Sequence, residues 1–115
     1  MTIIETGEDV RPAVALFHSL ADQTRLAIIR RLMLGEQRVR DLVGDLGLAQ
    51  STVSAHMACL RDCGLVEGRN EGRQTYYSLS RPELMDTLVA AEALLTATGN
   101  KVALCPNYGN PEEAR

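Results

Sequence analysis

The sequence predicts a mainly α domain carrying one small β-hairpin, and three observations point to it. Apolar residues recur at spacings of three and four through most of the chain. Two short helical stretches are separated by a tight turn containing glycine. A single switch to strand-like patterning follows them, before helical periodicity returns. At 115 residues the chain suits one domain with a single modest core. We place that domain at residues 1–100 and read residues 101–115, with Pro106 and Pro111, as a flexible tail.

The first predicted helix runs from Val10 to about Leu20, with Val10, Ala13, Val14, Phe17 and Leu20 as its buried stripe. Pro12 fits there because it falls in the first turn. Asp22 is placed to cap a second helix, which buries Leu26, Ile29, Leu32 and Met33 and ends before Gly35. A short helix over Val39–Leu46 is closed by Gly47, and another from Gln50 to Asp62 by Gly64. In the latter, Val53, Met57 and Leu60 point inward, leaving Gln50, Ser51, Thr52, Ser54 and His56 for solvent or a partner. Ala49 stands at its N-cap, a poor residue there, so Ser51 is an alternative cap that would start the helix two residues later. Leu65–Arg69 and Arg73–Leu79 read as strands joined by an Asn70-Glu71-Gly72 turn. A last helix, Pro82–Ala97, carries the strip Leu84, Leu88, Ala91 and Leu95. This order of elements is a winged helix-turn-helix.

Composition excludes several classes. A content of 45% hydrophobic and 23% charged residues is that of an ordinary folded domain. No apolar run approaches the roughly 18 residues of a membrane span, and the acidic N-terminus lacks a secretory pattern, so a cytoplasmic protein is expected. The net charge of −3 is unusual for a nucleic-acid binder, but residues 22–79 hold eight Arg against seven Asp and Glu. The acidic surplus therefore lies at the two ends. His18 and His56, the only histidines, have no evident acid partner in sequence, so a thiol enzyme with a small-molecule substrate is not expected.

Short polar side chains near the start of a helix can approach base edges and phosphates in the major groove. Gln50, Ser51, Thr52 and Ser54 are candidates for that role, with His56 as a structural or phosphate-contacting residue. Arg69 and Arg73 flank the hairpin turn and can reach phosphate or the minor groove from the wing. The expected partner is double-stranded operator DNA.

The segments LADQTRLAIIRRL, DLGLAQSTVSAHMACLRDCGLV and EGRQTYYSL resemble the ArsR/SmtB metalloregulators, over nearly all of residues 20–79. With CLRDCGLV and a distant C-terminal cysteine, the chain is most similar to that family's CmtR-type cadmium/lead sensors. The resemblance implies a homodimer, formed through the terminal helices, that represses an operon and leaves DNA on binding metal. Other branches differ from this chain. Where some carry a CxC pair, Arg38-Val39-Arg40 stands here, and the last helix lacks the histidines of the zinc and nickel sensors.

Cys59, Cys63 and Cys105 can be fillers, redox groups or metal ligands. Cys59 and Cys63 are four apart, so their thiols lie on one helix face a turn apart. A closed structural zinc site wants four ligands, whereas three thiolates suit Cd²⁺, Pb²⁺ or arsenite, with Zn²⁺ also possible. We favour Cys59 and Cys63 of one chain with Cys105 of the other, twice per dimer. The alternatives are a thiol-redox or arsenite response on the same fold, and a constitutive DNA-binding module with inert cysteines.

Overall fold

The structure is a computed structural model that describes residues 9–105. Among these, five helices and one hairpin follow as α1 (Arg11–Leu20), α2 (Gln23–Leu32), α3 (Val39–Leu46), α4 (Gln50–Asp62), β1 (Val66–Glu71), β2 (Gln74–Leu79) and α5 (Pro82–Ala97). The expected winged helix-turn-helix order is present. No helix of the described residues is long and apolar enough to cross a membrane.

Local chemistry sets the helix ends. Asp22 has extended backbone and its carboxylate accepts the Arg25 N–H at 2.9 Å, which holds its carboxyl below the usual range. Arg38 begins α3: its N–H donates to Asp41 Oδ2 at 2.9 Å and its guanidinium pairs with the same carboxylate. That guanidinium is the main reason the Asp41 carboxyl is pushed down to about 2. Gly47 ends α3 at φ +68, a left-handed conformation that an L side chain adopts only with strain, and so fixes the turn into α4. Helix α4 starts at Gln50 behind an Ala49 cap with no side-chain hydrogen bond, so Ser51 lies inside the first turn and does not shift the start.

The core gathers Ile28, Ile29 and Leu32 of α2, Leu42 of α3, Val53, Met57 and Leu60 of α4, and Leu84 and Leu88 of α5. Leu26 and Met33, expected inside, are half-buried at its edge. Helix α1 departs from expectation more sharply. Val10, Val14 and Phe17 are 64%, 60% and 62% exposed, while Leu16, Ser19 and Leu20 turn inward. Helical periodicity identifies an apolar face but does not say whether the same chain covers it. Helix α5 likewise leaves Leu94 66% exposed.

The hairpin also differs in detail. Glu71 pairs with Gln74, so the strands run two residues further along β1 than expected and the turn is Gly72-Arg73. Gly72 has φ +64 and Arg73 a negative φ, the pattern of a two-residue turn whose twist suits the strands. Gln37 and Tyr77 exchange backbone hydrogen bonds of 3.0 and 2.8 Å, which tie the wing to the entry of α3.

Residues 101–105 are irregular, but they dock on the domain. The Leu104 and Cys105 N–H groups both donate to Glu92 Oε2 of α5, at 2.5 and 2.7 Å, and Cys105 is buried. The rest of the expected flexible tail, with Pro106 and Pro111, lies outside the described residues.

Candidate nucleic-acid interface and thiol site

The inward anchors Val53 and Met57 turn the opposite face of α4 outward, and there Gln50, Ser51, Thr52 and Ser54 are all exposed. The α3–α4 turn sets these side chains at the leading end of the helix, where the first backbone N–H groups also point outward. Beside them lies a cleft of about 320 Å³ lined by Arg38, Arg40, Gln50, Arg73, Gln74 and Tyr77, among others. One wall is the wing, one the start of α3, one the start of α4. Three arginines on a polar cleft next to exposed Gln50 form a surface suited to a phosphate backbone.

These arginines are not equivalent. Arg69 grips Glu36 with two hydrogen bonds of 3.1 and 2.7 Å and reaches Glu71 at 2.9 Å. The Glu36 carboxylate, then Glu71, hold the guanidinium firmly charged, and Arg69 in turn holds Glu36 below its usual range. Arg69 and Arg38 also lie over the Tyr76 ring, at 5.1 and 5.6 Å from its centre. Arg69 therefore fastens the wing to the body, with its charge already matched by two carboxylates. Arg73, at the tip, and Arg40 have no carboxylate within ion-pair distance among the described residues. Arg73 is a residue the sequence singles out, and Arg40, which it does not, lines the same cleft. The overlooked signal was a cation in the first turn of a helix, where the dipole disfavours it and where only Arg38 has a capping role.

His56 is half-buried on α4, with Nδ1 3.2 Å from Arg25 Nη1 and 3.8 Å from Asp22 Oδ2. That setting knits α4 to α2, the structural half of the role expected of it.

At the other end of α4, the Cys63 N–H donates to the Cys59 carbonyl at 3.2 Å, so the two residues stand one turn apart. Cys59 is half-buried and Cys63, the C-cap, is exposed. The Ser19 hydroxyl of α1 approaches Cys63 Sγ to 2.6 Å. Cys105 is not brought to this pair: it is buried beside Glu92, and no group of three metal-ligating side chains gathers among the described residues. Among the described residues, one chain thus offers two thiols one turn apart with no third metal-ligating side chain grouped with them.

Comparison with known proteins agrees with this layout. Residues 22–68 match the model described as bacterial regulatory protein, arsR family. The chain is 38% identical over 99 residues to a probable mercury resistance operon repressor of Streptomyces lividans, covering 86% of this chain and 79% of that protein. It is 44% identical over 73 residues to the HTH-type transcriptional regulator CmtR of Mycobacterium tuberculosis, covering 64% of this chain but only 62% of that protein. The solved structure of the cadmium metal-sensor CMTR from Mycobacterium tuberculosis superposes with a TM-score of 0.57 at 42% identity, over 67% of this chain and 80% of that one. A homodimeric winged helix-turn-helix DNA-binding domain of Mycobacterium bovis shares the fold, with a TM-score of 0.70 at 23% identity over 82% of this chain and 91% of that one. An exposed polar start of α4, a basic wing cleft and these relatives lead to one conclusion: the chain belongs to the arsR family of bacterial regulatory proteins and is a transcriptional regulator built on a winged helix-turn-helix.

Proposed function

We propose that this regulator is a cytoplasmic homodimeric repressor that holds operator DNA until its cysteines capture a thiophilic ion. One observation carries the reading: two thiols, half-buried Cys59 and exposed Cys63, sit one turn apart on the helix whose opposite end presents Gln50, Ser51, Thr52 and Ser54. A ligand at one end of a rigid helix bears directly on the other. Cys59 and Cys63 would hold the ion, and Cys105 would complete a three-thiolate site, best supplied by the partner chain. Such a donor set suits Cd²⁺, Pb²⁺ or arsenite, with Zn²⁺ also possible, and we take Cd²⁺ or Pb²⁺ as the inducer. The similarity to a cadmium sensor and to a mercury-operon repressor supports this choice.

A second copy is the natural cover for Val10, Val14 and Phe17 of α1 and Leu94 of α5, since apolar residues at these exposures are costly in water. Two-fold pairing through these helices would set two reading helices about one DNA turn apart. DNA would be met by Gln50, Ser51, Thr52, Ser54 and Arg73, to which we add Arg40. Arg69 and His56 would act mainly by fixing the wing and α4.

The test is a titration of reduced, metal-free protein with Cd²⁺, Pb²⁺, Zn²⁺ and arsenite, following thiolate-to-metal absorbance and duplex release together. Both signals should saturate together and should vanish in Cys59→Ser and Cys63→Ser. Normal metal release of DNA in either variant would remove these cysteines from the site.

A further inference from the structure

We propose that Ser19 is the positioning residue that couples Cys63 to helix α1. Ser19 is 2% exposed, yet its hydroxyl lies 2.6 Å from Cys63 Sγ. A buried hydroxyl needs a partner, and Cys63 Sγ is the one Ser19 has among the described residues. The Ser19 carbonyl accepts from Arg25 Nε at 2.6 Å. The same guanidinium donates to the His18 carbonyl at 3.0 Å and lies 3.2 Å from His56 Nδ1. The last turn of α1 is therefore tied to α4 at two places, directly at Cys63 and through Arg25 at His56.

Anything that displaces Cys63 Sγ, an ion or a covalent adduct, either carries Ser19 with it or strands the hydroxyl. Both outcomes move or loosen the end of α1. The outer face of that helix is the one carrying Val10, Val14 and Phe17, so the disturbance reaches the surface assigned above to the partner chain. Groups that orient a ligand from behind commonly matter nearly as much as the ligand itself. This inference rests on the reading of Cys63 as the trigger, and its test is separable from the choice of metal.

In a chain carrying Cys59→Ser and Cys105→Ser, Cys63 is the one remaining cysteine. Iodoacetamide then loads Sγ with a neutral adduct and no metal. The readout is affinity for a duplex selected from random sequence by the protein, compared before and after alkylation. Alkylation should weaken binding about tenfold in this parent, within the usual range of regulatory coupling. The loss should shrink below about threefold when Ser19→Ala is added, and return with Ser19→Thr, which keeps the hydroxyl. Equal losses with and without Ser19→Ala, or no loss in the parent, overturn the proposal. Alkylation of the parent should also speed amide exchange in the last turn of α1. Unchanged exchange there overturns it even if Ser19→Ala fails to fold. A parallel Cd²⁺ titration of the unmodified chain reports on the metal alone: absent thiolate-to-metal absorbance sinks the metal reading and leaves the alkylation result standing.

Discussion

Replacing Arg73 by Ala should lower DNA affinity through phosphate contact alone, and the salt dependence measures how much. Arg73 is exposed at the tip of the wing on the Arg40–Gln50 cleft, with no carboxylate within ion-pair distance among the described residues. Each phosphate neutralised on duplex DNA contributes about 0.9 to the slope of log affinity against log salt. A dimer loses two such contacts, so the slope should become shallower by about 1.8. Between about 50 and 200 mM salt, wild type should then lose about tenfold more affinity than the variant. Arg69→Ala is the internal control. Its guanidinium is held by Glu36 at 2.7 Å and Glu71 at 2.9 Å, so its removal should weaken binding by loosening the wing, with the slope unchanged. Fluorescence anisotropy on a random-sequence duplex suffices, because phosphate contact needs no operator. A slope unchanged in Arg73→Ala, or reduced equally in Arg69→Ala, would refute the distinction between a free cation and a matched one.

Three further outcomes follow from the same geometry. The Asp41 carboxyl, ordinarily near 3.8, sits at about 2, so its stabilising effect is full above pH 4 and is lost as pH falls toward 2. Asp41→Asn should cost about 1 kcal/mol at pH 7, a figure reduced for the 31% exposure of the carboxylate, and should flatten stability over that acid window in denaturant melts. Phe17→Asp places a charge on the exposed face of α1 and should shift the protein from dimer to monomer in sedimentation at micromolar concentration; an unchanged dimer would move the interface elsewhere. Glu92→Ala removes the acceptor of the Leu104 and Cys105 N–H groups and should raise the alkylation rate of Cys105 at least about fivefold, scored by peptide mass spectrometry. An equal rate would show that Glu92 does not hold this segment.

Much of the fold was legible because its signals are local. Gly47 and Gly64 mark helix ends, Asp22 marks a start, and Val53, Met57 and Leu60 mark the inward face of α4, all within a few residues of the feature they set. The turn of the wing was misplaced by a shorter-range competition: Asn70 and Gly72 both favour turns, and cross-strand register chose Gly72-Arg73. Helical periodicity brought the polar start of α4 into view, the spacing of four paired Cys59 with Cys63, and the family resemblance added the metal reading.

Sequence alone thus determined the order of elements, the exposed polar start of α4 and the one-turn spacing of Cys59 and Cys63, since periodicity and capping are properties of neighbouring residues. Tertiary structure decided what those residues meet. It turned the apolar face of α1 outward, bonded Arg69 to Glu36, left Arg73 with no carboxylate within ion-pair distance among the described residues, set Cys105 beside Glu92, and buried Ser19 against Cys63. The Arg69–Glu36, Cys105–Glu92 and Ser19–Cys63 contacts join positions 33, 13 and 44 residues apart, and the physical reason is common to all. Burial and charge pairing depend on packing between elements, which no local pattern encodes.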